Sequence, residues 1–252
     1  MDNSTIFFYD TPPILSQTPT FTKPNDDFKP LSVTSSSVFY LAVITPHTDK
    51  YEVHGPVPSF AHLLPTIEDI VSDSPSAIDK LDALQYTALD VWGEQTKIDK
   101  FKDEGFHTLV VDGQRGTYTV LEVLREENKT VREALPAPVY VVTRHGPLFH
   151  PSAKVGTAVK LGNAKGDAAT STLVGSFVDR ADAQTAANKA MDAMVAGLAV
   201  SRIEDWGKEG GGVLLAMGGQ YRWEVRIAYD DEALRCAKEG ADAEGAGVGW
   251  RL

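Results

Sequence analysis

The chain has 252 residues, of which 42% are hydrophobic and 23% charged; this is enough apolar side chain for one large core or two small ones and excludes disorder throughout. The net charge of −11 is concentrated in the first half: residues 1–135 carry 11 Lys/Arg against 21 Asp/Glu, a balance of −10, and residues 136–252 carry 13 against 14, a balance of −1. No cluster of Lys and Arg exists to displace counterions from a phosphate backbone, so nucleic acid is not an expected partner, and the acidic excess reads chiefly as a solubilising surface.

Cys236 is the only cysteine, which rules out an intramolecular disulfide and argues against a cysteine-based zinc site. Met1–Thr5 is not a basic segment leading into an apolar run, and no stretch approaches the ~20 apolar residues of a membrane span. A cytoplasmic protein without a membrane partner is the expectation, and no cofactor is implied.

Residues 1–36 mix Thr, Ser, Asp and Pro with scattered aromatics, and prolines such as Pro12, Pro13, Pro19 and Pro24 favour an extended N-terminal arm, with a short strand at Ile6–Tyr9. Val38–Ile44 is an almost continuous apolar, β-branched and aromatic run, the mark of a buried strand. Tyr51–His54 reads as a second strand, ended by Gly55-Pro56. From Ser59 to Glu104 the apolar spacing turns helical, with breaks at Pro65, at Ser74-Pro75-Ser76 and near Gly93. Ser76 is placed to cap a helix running to Leu84, and Gln95–Glu104 forms another that exits at Gly105.

Two β-rich runs, His107–Val111 and Thr117–Val123, flank Asp112-Gly113, a strong hairpin signal. Residues 37–124 thus make a first α+β unit, and the charged, proline-bearing stretch 125–137 reads as a linker. The second unit, 138–231, opens with Val139–Val142, at an offset of 101 from Val38–Leu41. After a Gly- and Ala-rich loop over 152–172, Leu173–Val178 reads as a strand entering a helix capped by Asp179, with Asp182 in its first turn. Ala183, Ala187, Ala190, Met194 and Leu198 share one face of that helix. Ser201 and Glu204 have the spacing of a further helical turn.

Val213–Met217 and Gln220–Tyr229 then form a second hairpin, about 104 residues after the first. In its return strand Tyr221, Trp223, Val225 and Ile227 share one face, which is expected to be core, while Arg222, Glu224 and Arg226 share the other, which is expected to be an exposed, self-compensating ladder. The matching offsets argue for duplication. The expected class is therefore α+β, with two tandem units of mainly antiparallel sheet and packed helices of ferredoxin-like type, followed by a C-terminal tail over 232–252.

Thr143-Arg144-His145-Gly146-Pro147 follows the strand Val139–Val142, and Arg-His-Gly in that position resembles the histidine phosphatase family. The resemblance implies His145 as phosphoryl acceptor and Arg144 as phosphate holder. No histidine follows His150, however, to supply that family's downstream partner, and phosphoryl transfer needs several donors converging on one phosphate. His145 and His150 are also too poorly spaced along a strand for a metal pair. The glycines of Glu209-Gly210-Gly211-Gly212 precede a strand rather than a helix, which argues against a phosphate loop. Val139–Val142, Phe177–Met191 and Trp223–Ile227 together resemble α+β proteins of filamentous fungi that have no assigned activity.

Two functional expectations result. One is a non-enzymatic module that holds a protein partner through a sheet edge or the acidic half. The other is a small-molecule binder or enzyme with a pocket between the units, for which His107, Arg115, Arg144, His145 and His150 are the candidate ligand-facing residues.

Overall fold

The computed structural model describes residues 19–86, 101–150, 165–207 and 211–230. The strand expected at Ile6–Tyr9, the start of the Gln95–Glu104 helix, Cys236 and the C-terminal tail lie outside the described residues. Two antiparallel sheets and a few helices make a mixed α+β architecture.

The first sheet contains β1 (Ser37–Thr45), β2 (Lys50–Val57), β3 (Thr108–Asp112) and β4 (Tyr118–Glu127), in the order β2-β1-β4-β3. The second contains β5 (Val139–Phe149), β6 (Thr172–Phe177), β7 (Ser201–Asp205), β8 (Gly212–Gly218) and β9 (Tyr221–Asp230), in the order β6-β5-β9-β8-β7. In both, the opening strand lies beside the closing one, the second strand forms an edge, and a late hairpin supplies the last two strands. The second sheet adds β7 beyond that pattern. All the pairings are antiparallel, and each sheet is built as two strands, a helical passage and further strands, an order different from the βαββαβ of a ferredoxin-like unit.

The continuous apolar run at Val38–Ile44 becomes β1, in which all residues except Thr45 are buried, as a strand covered on both faces must be. Phe39, Leu41 and Val43 face one way, into a core with α1 (Leu64–Val71) and α2 (Pro75–Tyr86). Pro65 does not interrupt α1: it sits in the first turn, where a missing N–H costs nothing. The second helix begins at Pro75 rather than at Ser76, and Ser74 just before it bonds the Asp112 carbonyl at 2.9 Å. Residues 101–104 are helical and end at Gly105, where φ is +62°.

The expected linker is structured. Residues 125–127 continue β4, and α3 (Lys129–Ala134) follows, capped by Asn128, whose side chain accepts from Val131 N–H at 3.1 Å. A single turn, α4 (Asp167–Thr170), precedes β6, and α5 (Arg180–Met194) follows it. Asp179 caps α5 by accepting from Ala181 N–H at 2.6 Å. Ala183, Ala187 and Met191 pack on Val142, Trp223 and Val225, so small side chains bring the helix close to the second sheet. Leu198 lies past the helix and is exposed. The spacing of Ser201 and Glu204 belongs not to a helical turn but to β7, which the unpaired edge of β8 recruits; pairing overrides the capping signal.

The two sheets stack face to face. Val38 and Tyr40 of β1 share a core with Val139 of β5 and Leu173 of β6. Tyr40 donates its phenol proton to Glu126 at 2.5 Å and also touches the Ser176 hydroxyl on the other sheet. The layers therefore run helices, sheet, sheet, helix.

Candidate functional site

β5 and β9 run side by side in the second sheet, with Thr143 opposite Arg226 and His145 opposite Glu224. Because side chains alternate along a strand, all four face the first sheet. There β2 approaches, and a cleft of about 280 Å³ opens between the sheets, lined by Tyr51 and His54 from one side and by Thr143, His145, Arg226 and Asp230 from the other. A wider hollow of about 610 Å³ lies near His47, Asp49 and Lys165, but the Asp49 carboxylate there is occupied by the N–H groups of Gly166 and Ala168.

His145 is buried, and its ring is held at both nitrogens. Nε2 lies 2.9 Å from Thr143 Oγ1, and Nδ1 lies 2.6 Å from Ser171 Oγ and 3.4 Å from Asp167 Oδ1. Ser171 Oγ is itself 3.4 Å from Asp167 Oδ1. Tyr51 meets the imidazole edge-on, with ring centroids 6.2 Å apart. The nearby Gly146 has φ +131° and leaves β9 room: a side chain there would come within 3.0 Å of the Arg222 carbonyl.

Arg222, Glu224 and Arg226 do not form an exposed ladder. The side chains of Arg222 and Glu224 are each 3% exposed, and that of Arg226 is 41% exposed at the cleft. Tyr221 to Val225 are buried without interruption, because β9 is covered on both faces, whereas the sequence pattern pointed to a strand with one wet face. Glu224 Oε1 forms an ion pair with Arg222 Nε at 2.5 Å, and Oε2 accepts hydrogen bonds from Arg226 Nε and Nη2 at 2.9 and 2.6 Å. Two guanidinium groups thus share one carboxylate.

Burial raises the Tyr51 phenol to about 12, with the Glu122 carboxylate adding to the shift and a hydrogen bond with the Leu173 main chain opposing it. Burial likewise holds the Glu122 carboxyl above its ordinary range, opposed by His107. Burial would raise Asp167 too, but its hydrogen bond with His145 and the charges of Arg226, His145 and Arg222 outweigh this and hold it below the usual carboxylate range. Asp167 is therefore a firmly ionised acceptor at the end of the His145 contacts.

Of the five residues singled out from the sequence, His145 alone lines the cleft. His107 is exposed at the start of β3, and Arg115 is exposed in the β3–β4 turn with φ +56°. Arg144 points to the face opposite His145 and donates to Thr172 Oγ1 at 2.7 Å, so the Arg-His pair cannot grip one phosphate and the phosphatase arrangement is not formed. His150 is buried just past β5, with its main-chain N–H on the Gln220 carbonyl, and does not line the cleft. Sequence reading missed Tyr51, Thr143, Ser171, Asp167 and the inward turn of Arg226; the alternation of Thr143 and His145 with Arg144 was the available signal.

Among the described residues no group of three or more His, Cys, Asp or Glu is placed to hold a metal ion, and no helix is long and apolar enough to cross a membrane. Compared with protein families, curated proteins and solved structures, the chain matches none.

Proposed function

We propose that the protein binds a small polar molecule in the cleft between its sheets, and that the molecule presents a carboxylate or a similar planar acceptor to Arg226. The observation that carries this reading is the convergence of Thr143, His145 and Arg226 with Tyr51 and His54 on one cleft of about 280 Å³. Glu224 shares its single charge between Arg222 and Arg226, so the half-exposed guanidinium keeps positive character and donor capacity toward the cleft. The walls combine apolar Val53, Val141 and Ala228 with these few polar groups, the usual make-up of a small-ligand site. Benzoate is a suitable probe: its addition is expected to shift amide resonances of β2, β5 and β9, and Arg226→Ala to weaken binding at least ~10-fold. If benzoate and other small carboxylates move no resonance around the cleft, the reading fails.

A second reading, a protein partner held at a sheet edge, is favoured by β7, whose five residues are all exposed and whose Ile203 is 50% exposed. A partner held there would be weakened by Ile203→Asp, which replaces the exposed apolar side chain of the edge strand with a charge. The recurring strand order also supports an origin of the two units by duplication; relatives in which residues 37–127 fail to align with 139–230 would count against it.

A further inference from the structure

The contacts around His145 have a fixed direction. Asp167 can only accept hydrogen bonds, so the Ser171 hydroxyl donates toward its Oδ1 across 3.4 Å, and His145 Nδ1, 2.6 Å from Ser171 Oγ and 3.4 Å from Asp167 Oδ1, is left to donate toward that pair. The Nδ1–H tautomer leaves Nε2 with a lone pair, and Nε2 lies 2.9 Å from Thr143 Oγ1. The Thr143 hydroxyl is thereby the donor, its oxygen polarised toward greater nucleophilicity. Nucleophile, base and orienting carboxylate stand in the relation that activates hydroxyl nucleophiles on unrelated folds. Thr143 is partly exposed and lines the cleft, while His145 is 2% exposed and sheltered behind it. Arg226 stands directly opposite Thr143 across the β5–β9 ladder, where a guanidinium can face negative charge developing on a carbonyl oxygen.

From this geometry we infer that the cleft is an acyl-transfer site, with Thr143 as nucleophile, His145 as general base and small acyl esters as substrates. The inference rests on the ligand-binding reading above and adds chemistry to it. Thr143 Oγ1 forms a bond to the ester carbonyl carbon while its proton passes to His145 Nε2 and the carbonyl electron pair moves onto oxygen, beside Arg226. Collapse of that intermediate restores the carbonyl and breaks the bond to the alkoxy oxygen, which leaves as the alcohol with the proton from Nε2. Water then attacks the Thr143 ester by the same route, giving the carboxylic acid and regenerating the hydroxyl. Ser171 and Asp167 are positioning residues, acting through Nδ1.

The test uses the full chain and p-nitrophenyl acetate, following p-nitrophenol release and locating the acetyl group by peptide mass spectrometry. The expected result is a burst of about one equivalent with the acetyl group on Thr143, slowed at least ~100-fold by His145→Gln and abolished by Thr143→Val. Thr143→Ser keeps the hydroxyl and should retain the burst, which guards against a Val variant that fails to fold. Asp167→Asn should slow acylation without weakening benzoate binding, a separation that a purely structural role would not produce. Release at equal rates from wild type, Thr143→Val and His145→Gln, or an acetyl group confined to lysines, overturns the inference. Benzoate binding with no Thr143 acylation would sink the acyl-transfer chemistry and leave the binding site standing; loss of both would remove the site.

Discussion

Arg222 and Glu224 lie two residues apart on one strand and form an ion pair with Arg222 Nε 2.5 Å from Glu224 Oε1, each side chain 3% exposed. The pair is the least hydrated charge in the described fold that also touches the cleft, through Arg226. Removing the carboxylate takes away the counter-charge that the two guanidinium groups share in a buried setting, so Glu224→Ala is expected to destabilise the protein by ~3–5 kcal/mol. An apolar pair, Arg222→Met with Glu224→Leu, should recover much of that loss, because the buried guanidinium and its carboxylate are then removed together. Denaturant unfolding of the single and double variants checks both statements.

The Tyr51 phenol gives the protein an alkaline limit. Its value is about 12 in the fold against an ordinary 10.0, so between those pH values the folded chain binds more protons than the unfolded one. Stability contributed by the neutral phenol is complete below pH ~10 and is lost as pH rises toward ~12. Tyr51→Phe should flatten that part of the melting-temperature profile, while tyrosinate absorbance in the wild type should appear late for Tyr51 and also for Tyr40, whose phenol is likewise pushed up by burial and by Glu126.

Asp167 works on the acid side with the opposite sign. A carboxyl held below its ordinary range takes up protons less readily when folded, so its contribution is present above pH ~4 and disappears as pH falls through the folded value. Asp167→Asn should therefore melt lower than wild type at neutral pH and show a shallower decline in acid. Glu122, held above its range, loses its contribution as pH rises, so Glu122→Gln should not reproduce the Asp167→Asn profile.

Tyr40 ties the sheets together through Glu126 and Ser176, and Glu126 also accepts from Asn128 Nδ2 and from the Ser176 N–H. Tyr40→Phe removes one donor from a carboxylate that keeps several, and a cost of ~1–3 kcal/mol is expected. Ser176→Ala in the same background should add less than it does alone, since the two groups share a partner; a double-mutant cycle measures that coupling.

Gly55 of β2 lines the cleft with φ +105°, and a Cβ there would stand 2.7 Å from the Phe39 carbonyl oxygen. Gly55→Ala is expected to cost ~1–3 kcal/mol and to weaken benzoate binding by displacing the β2 wall. Unchanged stability in this variant would show that β2 moves freely against β1.

Much of the fold was legible because its signals are local. The Val38–Ile44 run, the Asp179 cap and the Ala183 and Ala187 face of α5 each depend on residues close in sequence, and each stands in the structure where it was read, while the second hairpin turns at Gly219-Gln220, one residue later than its glycines suggest. The site was harder to see because burial of a strand's second face depends on a distant sheet. Alternation placed Arg222, Glu224 and Arg226 together, yet nothing within β9 announces that β1 and β2 stack toward that side. Asp167 and Ser171, which reach His145 from the turn before β6, sit in a stretch that reads as a loop. Ser201 and Glu204 were misread for the same reason, since the unpaired edge of β8 decided their conformation.

The placement of β1 beside β4 has a consequence during synthesis. Tyr40 and Glu126 are 86 positions apart, so at ~5–20 residues per second the ribosome takes roughly 4–17 s to deliver the closing strand after the opening one. Throughout that interval the most apolar strand of the nascent chain has β2 on one flank and an uncovered flank on the other, and the same wait recurs for β5 until β9 emerges. Chaperone capture is best placed in these two windows, and truncated chains that stop short of β4 or β9 should aggregate rather than fold.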